Sequence, residues 1–389
     1  MGRGYDVLII GGGVIGGSIA YHLLNDGFDG TVALLEKDPS YEFAGTTRSA
    51  GGIRQQFSTE VNIRIGLYGL QAFRRFDEEM AVDGEPAHAE FRERGYLFLA
   101  DERNWAVLQR LRAVQSAVGA QVELLSPDQV ARIFPHLDCE RIAGGSWGPQ
   151  AGYMDPHGVL HGYLRKARAL GAAYLHAECS AVLLHGGRAA GVRTVAGEVI
   201  EGRNVVIAAG AWAGSLGVAS GIELPIDPIP RMVYWFDPAE KFDYDLPLVI
   251  APDGLWLRHE AAKQIITGRS RPENPAICFD WDREYFMEDL WPRLAHWVPS
   301  LERLKLQRGW TGLYAMSRHD QNALVGPYPG VEGLFVAGGF SGHGLQQSPA
   351  VGKGLSEMIR LGRYETIDLG PLSIERLITG QKVLEEEVV

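Results

Sequence analysis

Cysteine is scarce in this chain of 389 residues: Cys139, Cys179 and Cys278 lie far apart, and none belongs to a Cys-x-x-Cys pair. That suggests no disulfide framework and no metal-ligand pattern, and suits a reducing compartment. No apolar run approaches the roughly 20 residues that cross a bilayer. Met1-Gly2-Arg3-Gly4 runs straight into an apolar strand and leaves no space for a signal peptide. A soluble cytoplasmic protein is expected. Positive charge is in deficit, with a formal net charge of -11. This argues against a nucleic-acid surface but not against a local cationic site for a small substrate. Internal repeats and low-complexity segments are missing. What remains is ordinary globular composition, 46% hydrophobic and 22% charged, at a length that predicts two domains.

The chain is organised around residues 1 to 37. Tyr5-Asp6-Val7-Leu8-Ile9-Ile10 has the composition of a buried parallel strand. Gly11, Gly13 and Gly16 follow with the spacing G-x-G-x-x-G, and Val14 and Ile15 lie between the last two. A helix is read over Ser18 to Leu24. Thr31 to Leu35 is a second strand that delivers Glu36 and Lys37. Gly11 permits the tight turn, Gly13 leaves room for a pyrophosphate, and Gly16 lets helix and strand pack closely. The helix amino terminus offers free N–H groups to phosphate oxygens. Glu36 follows Gly16 by 20 residues and can accept from ribose hydroxyls. Set between strand and helix, this points to a dinucleotide; the alternative is an ordinary strand-helix turn. The unit alone does not separate NAD from FAD.

Residues 38 to 60 form a long connection rich in small and hydroxylated residues, among them Thr47, Arg48, Ser49, Ala50, Gly51 and Gly52. Such a segment brings backbone N–H groups close to a flat or charged ligand; a surface loop is the alternative reading. An amphipathic helix is expected over Asn62–Met80 with Ile63, Leu67, Leu70 and Phe73 inward. Strands are expected over Phe91–Leu99 and Val122–Leu125 around a helix near Asn104–Val118, and Ser126-Pro127-Asp128-Gln129 starts another helix. These break the β-α alternation. It resumes with a helix over His157–Leu170, a strand over Ala173–His176, a hairpin over 182–194 and a buried, glycine-ended strand Val205-Val206-Ile207-Ala208-Ala209-Gly210-Ala211-Trp212. Residues 222 to 320 break it again, with strands over Pro228–Phe236, Leu248–Trp256, Gln264–Gly268 and Arg308–Ala315 and a helix over Tyr285–Trp297. A last strand ends at Gly338-Gly339. Phe340-Ser341-Gly342-His343-Gly344-Leu345-Gln346-Gln347 then leads into a helix reaching Leu361. The acidic run Glu385-Glu386-Glu387 reads as a solvated tail.

Four blocks in this order resemble the FAD-dependent amine oxidoreductase superfamily of glycine oxidase, sarcosine oxidase and D-amino acid oxidase. They are Gly11–Glu36, Arg48–Ile53, Val205–Trp212 and Gly338–Gln347. Within the superfamily the sequence looks most like sarcosine-oxidase-like and dimethylglycine-dehydrogenase-like proteins. The turn Gly339–Gln347 is also similar to that of a respiratory-chain assembly flavoprotein. The resemblance implies an α/β fold with a Rossmann-like FAD-binding domain (1–85, 150–221, 321–389) and a discontinuous, mixed-sheet substrate domain (86–149, 222–320). It implies non-covalent FAD and no metal. The AMP half would sit on the amino-terminal unit, with Ser180 near the adenine. The isoalloxazine would lie between the 45–54 loop and the 338–347 turn.

The resemblance also assigns roles. Arg54 matches an arginine that grips the substrate carboxylate, a task suited to its planar fork. His343 matches a histidine beside the flavin, where it would stabilise reduced flavin or favour the neutral amine. Tyr314 matches a pocket tyrosine. Three positions depart from monomeric sarcosine oxidases: Gly312 replaces the cysteine that attaches flavin, Ile266 stands where a lysine assists oxygen, and Gln346 replaces a lysine of the carboxylate site. The expected reaction is oxidation of the C–N bond of a secondary or N-substituted amino acid related to sarcosine, glycine, iminodiacetate or proline. Electrons would pass to oxygen, a quinone or a carrier protein, and a homo- or hetero-oligomer is compatible. The alternatives are a 2-hydroxy acid dehydrogenase on the same fold and a non-catalytic flavin-binding assembly factor.

Overall fold

The computed structural model describes residues 4–386. Met1-Gly2-Arg3 and Glu387, which figure in the expectations above, lie outside the described residues. β1 (Gly4–Ile10), α1 (Val14–Asn25) and β2 (Val32–Glu36) form the expected strand–turn–helix–strand unit. The helix starts one turn earlier than Ser18, because Gly13 is its N-cap directly after the turn. The long connection ends in a two-residue strand, β3 (Gly52–Ile53). α2 (Glu60–Arg74) buries Ile63, Leu70 and Phe73, and breaks at Arg75 before α3 (Phe76–Glu79). β4 (Tyr96–Ala100) is shorter than the strand expected from Phe91, since Arg92 only bridges to Tyr153. α4 (Trp105–Ala117), β5 (Glu123–Leu125) and α5 (Pro127–Ile133) follow. The Ser126 hydroxyl accepts from the Gln129 N–H, and Gln129 Oε1 accepts from the Ser126 N–H at 2.8 Å. This is a capping box.

β6 (Gly144–Gly148) and β7 (Gly152–Tyr153) are glycine-rich strands that periodicity does not announce. α6 (Pro156–Ala169), β8 (Ala173–His176), β9 (Cys179–His185), β10 (Arg188–Thr194) and β11 (Val199–Ile207) match the resumed alternation, except that β11 stops at Ile207 and Gly210–Trp212 is a 3-10 turn, Gly210 having φ +54°. After α7 (Ala213–Ser220) comes β12 (Ile226–Pro238). The single strand expected over Leu248–Trp256 is two, β13 (Leu248–Ile250) and β14 (Leu255–His259), because the chain turns at Gly254, whose φ is +81°. β15 (Ile265–Arg269) follows. The helix expected over Tyr285–Trp297 is α8 (Arg283–Tyr285) and α9 (Trp291–Trp297), joined by a π turn at Phe286–Leu290. β16 (Leu304–Ser317), β17 (Leu324–Pro327), β18 (Leu334–Gly338), α10 (Gly344–Leu361) and α11 (Arg376–Thr379) complete the chain.

Two eight-stranded sheets result. The first has the order β17-β18-β11-β1-β2-β8, with the β9–β10 hairpin attached through β11. β8, β2, β1, β11 and β18 run parallel. The second has the order β16-β12-β15-β14-β13-β4-β6-β5, antiparallel except between β13 and β4. Alternate residues of β1 point to opposite faces. Val7 and Ile9 enter a core with α1, α6 and α10, while Leu8 and Ile10 enter one with α7 and the hairpin residues Val182 and Val192. Leu97, Leu99, Tyr234, Phe236 and Leu257 of the second sheet pack against α5 and α9. No helix among the described residues is long and apolar enough to cross a membrane.

The acidic run is not a solvated tail where it is described. The Glu385 carboxylate accepts from the Ser58 N–H and hydroxyl at 2.7 Å each, from Asn62 Nδ2 at 2.6 Å and from the Thr59 hydroxyl. It therefore sits at the amino terminus of α2, where N–H groups are free and the helix dipole favours negative charge. Composition predicted solvation because it does not show which orphan donors a carboxylate will meet.

Candidate active site

One cavity of 520 Å³ runs from the carboxyl ends of β1 and β2 to the face of the second sheet. At one end, Gly11 has φ +103°, and a Cβ there would lie 2.4 Å from the Ala208 carbonyl oxygen. A Cβ on Gly16 would lie 2.0 Å from the Gly11 oxygen. Both positions are closed by backbone. Gly13 differs: the nearest atom to its Cβ position is Thr46 Oγ1 at 3.6 Å. It faces cavity space beside the α1 amino terminus, whose N-cap residue supplies no side-chain acceptor and where Thr46 meets only the Val14 N–H. The Glu36 carboxylate is fixed by the Gly12 N–H at 2.8 Å and the Asp38 N–H at 2.9 Å. Each oxygen keeps a further lone pair for a ribose hydroxyl. A helix end with N–H groups left free, an open glycine and an anchored carboxylate in this order fit the AMP half of FAD.

Most of the residues selected from sequence line this cavity. Val14, Ile15, Lys37, Ser180, Ala209, Gly210 and Trp212 surround the nucleotide end, and Lys37 Nζ stands 3.5 Å from the Trp212 ring centroid. Arg48, Ser49, Ala50 and Gly52 from the long connection line the middle. Gly342, His343, Gly344, Leu345 and Gln346 enter from the turn before α10. Gly16, Thr47, Gly51 and Gly339 are not on the cavity wall. The Thr47 hydroxyl donates to the carbonyls of Tyr41 at 2.6 Å and Ala44 at 3.1 Å, so it fastens the loop. Its neighbour Thr46 lines the cavity and accepts from the Val14 N–H at 3.3 Å. Gly51 packs against the Met154 carbonyl and Gly339 against Ser317. Arg48 ties its loop to the second sheet, donating to the Thr311 carbonyl at 2.9 Å.

At the other end, Arg54 is buried, 4% exposed. Its guanidinium lies 4.7 Å from the Phe57 ring centroid, 5.0 Å from Phe98 and 5.6 Å from Tyr96. Arg54 Nη2 is 3.2 Å from His343 Nε2, and the Arg54 N–H donates to Gln346 Oε1 at 3.0 Å. Burial, and then the Arg54 charge, hold the His343 pKa down at about 3. The imidazole is thus neutral, and facing an N–H donor its Nε2 is the acceptor. Tyr314 lines the same end; burial raises its pKa against the pull of Arg231 and Arg54. Gly312 also lines this end and offers no thiol, while Cys179 lines the nucleotide end with its thiol pushed up to about 12 by burial. Ile266 is buried within β15, off the cavity, and Lys37 is the only lysine among the described residues that lines it.

Sequence reasoning missed Arg231, Tyr96 and Thr46 as site residues, all on the cavity wall. Arg231 had a signal: a charged residue inside the apolar strand Pro228–Phe236 needs either solvent or a purpose.

The buried histidines set a pH dependence. Burial lowers His22 and His259 to about 4 and His343 to about 3. Unfolded chains take up these protons near pH 6.5, whereas the native state does not until far lower. The unfolded state therefore binds more protons between about pH 4 and 6.5, and native stability falls as pH falls through that window. The Tm of the protein at pH 5 should lie on the order of 5–10 °C below that at pH 7.5. His343→Asn should flatten part of that slope. Equal Tm values at the two pH values would count against these buried, neutral histidines.

The family model described as "FAD dependent oxidoreductase" (DAO) matches residues 6–358. The chain is 35% identical to "FAD-dependent oxidoreductase domain-containing protein 1" of Bos taurus, covering 98% of this chain and 86% of that one. It is 27% identical to the mitochondrial dimethylglycine dehydrogenase of Homo sapiens, over 94% of this chain and 44% of that protein. The L-proline dehydrogenase structure from P.horikoshii superposes with a TM-score of 0.89 at 28% identity, covering 98% of this chain and all of that one. A match over nearly the whole length, together with a cavity shaped for the dinucleotide, makes this chain a member of the DAO family of FAD-dependent oxidoreductases.

Proposed function

We propose that the protein oxidises the C–N bond of a secondary or N-substituted amino acid. The observation that carries this reading is Arg54: a buried guanidinium on the cavity wall, caged by aromatic rings, with no carboxylate partner among the described residues. A buried cation without an anion is costly, and a substrate carboxylate would supply one through a bidentate pair. Bound FAD supplies the two-electron acceptor for the hydride on the carbon next to nitrogen. The chain does the positioning. His343 accepts one Arg54 N–H, and Gln346 holds the Arg54 backbone, so the fork is fixed before substrate arrives. The neutral imidazole adds no charge, while the nearby guanidiniums disfavour an ammonium, so the reactive free amine is favoured. Phe57, Tyr96 and Phe98 keep water from the carboxylate pair. The oxidised product, an imine, hydrolyses in water. The electron acceptor would be oxygen, a quinone or a carrier protein.

The test is the anaerobic visible spectrum of the holoenzyme on successive addition of N-methyl amino acids, glycine, proline and iminodiacetate. At least one amine should bleach the flavin band. Bleaching by 2-hydroxy acids alone would replace this reading with a hydroxy acid dehydrogenase. A flavin that none of these reduces would leave a non-catalytic role. Readmitted air restores colour quickly in an oxidase and slowly in a dehydrogenase.

A further inference from the structure

A second arginine reaches the substrate end of the cavity. In the antiparallel β12–β16 ladder, Arg231 stands opposite Gly312 and Ile229 opposite Tyr314. Residues two apart share a face, so Arg231 and Tyr314 emerge on the same side as diagonal neighbours. Gly312, with no side chain, puts no group of its own between them; Arg48 packs over it, its Cβ 3.2 Å from where a Gly312 Cβ would lie. The Arg231 guanidinium lies 5.5 Å from the Tyr314 ring centroid, and both residues line the cavity.

Arg231 is poorly satisfied where it stands. Its Nη1 donates to the Pro230 carbonyl at 3.1 Å, and its buried Nε has no acceptor. It forms no ion pair among the described residues. Glu273, the nearby carboxylate, is already paired with Arg271. Other arginines on this cavity wall are engaged: Arg48 with carbonyls of Glu42 and Thr311, and Arg269 with the Asp253 carbonyl and Asp289. Arg54 and Arg231 remain, one in an aromatic cage and one on the β12 face, with Tyr314 within reach of both charges. Two unneutralised guanidiniums at the reacting end of a protein with net charge -11 call for two anionic groups on one ligand.

We infer that the substrate is a dicarboxylate, an amino acid whose second carboxylate is held by Arg231 while Arg54 holds the first. This rests on the amine-oxidation reading and narrows it. The reaction is unchanged; Arg231 is a binding residue that selects among substrates. A monocarboxylic amine would leave Arg231 unpaired, whereas a dicarboxylate gains a second charge-assisted contact, expected to tighten binding about tenfold or more.

Sulfur analogues test this without turnover. Thiodiacetate and (methylthio)acetate replace the amine nitrogen of iminodiacetate and sarcosine with sulfur, and binding is read from the shift of the oxidised flavin band in the holoenzyme. Thiodiacetate should bind about tenfold or more tightly than (methylthio)acetate. Arg231→Gln should bring that ratio close to one, and Arg231→Lys should keep part of it; the flavin band itself reports that each variant is folded and loaded. Equal affinities in the unmodified protein, or a ratio that survives Arg231→Gln, would overturn the inference. If (methylthio)acetate binds and an amine bleaches the flavin while thiodiacetate shows no preference, amine oxidation stands and the dicarboxylate assignment falls. If neither analogue binds and no amine bleaches the flavin, both fall.

Discussion

Arg54→Ala should lower kcat/KM for a carboxylate-bearing amine by about 1000-fold, because removing one partner of a buried charge pair costs ~2–5 kcal/mol and 1.4 kcal/mol is a factor of ten. The loss has two sources. The carboxylate loses a bidentate donor, and it must still enter a compartment walled by Phe57, Tyr96 and Phe98, where an unpaired anion is poorly solvated. Arg54→Lys should recover part of the rate, since a lysine restores charge but not the planar fork. FAD content should stay the same in both, because the nucleotide cradle lies at the far end of the cavity. His343 loses its Nε2 partner in the alanine variant, but burial, the first cause of its low pKa, remains, so it should stay neutral. Steady-state kinetics with flavin quantified in each variant decide the matter. An unchanged kcat/KM in a fully loaded Arg54→Ala protein would remove Arg54 from the substrate site.

Gly13→Val is expected to give a folded, colourless protein with FAD affinity reduced at least ~100-fold. Gly13 has φ -65° and ψ -177°, extended backbone open to any residue, and the nearest atom to its Cβ is 3.6 Å away. A side chain there meets little of the protein. It would fill the approach that a pyrophosphate needs to reach the α1 amino terminus. Gly16→Val is the informative contrast. Its Cβ would fall 2.0 Å from a backbone oxygen, so helix and turn would have to separate, and the damage would be to folding. Flavin absorbance and the Tm of FAD-free protein separate the two. A yellow Gly13→Val protein would sink this account of the cradle.

Much of the fold was legible because its signals are local. The β1–α1–β2 unit, the Ser126 cap and the hairpin after His176 rest on short spacings, and each formed as those spacings require. What escaped was set by distant partners. The parallel pairing of β13 with β4 joins residues 248–250 to 96–98, and nothing in either segment names the other. β6 and β7 are strands because neighbours supply hydrogen bonds, despite glycines that disfavour them. In the site, motif spacing located residues that line the cavity but not which hydroxyl of Thr46-Thr47 faces it. Arg231 became visible only when the ladder register placed it across from Gly312.

The central strand has a consequence for synthesis. The β11 neighbour of β1 is made nearly 200 residues after it, with Gly4 pairing to Glu201. α1 waits longer still: Ser18 donates to the carbonyl of Ser348, 330 residues away. β2 and α6 cover part of these surfaces earlier, but the edge of β1 that meets β11 and the side of α1 that meets α10 stay uncovered until those later segments have been translated. At roughly 5–20 residues per second that is tens of seconds of exposure. The β1–α1 segment is thus a sticky surface offered to chaperones, and slow, non-local closure of this sheet should limit the yield of active protein in a fast-translating host.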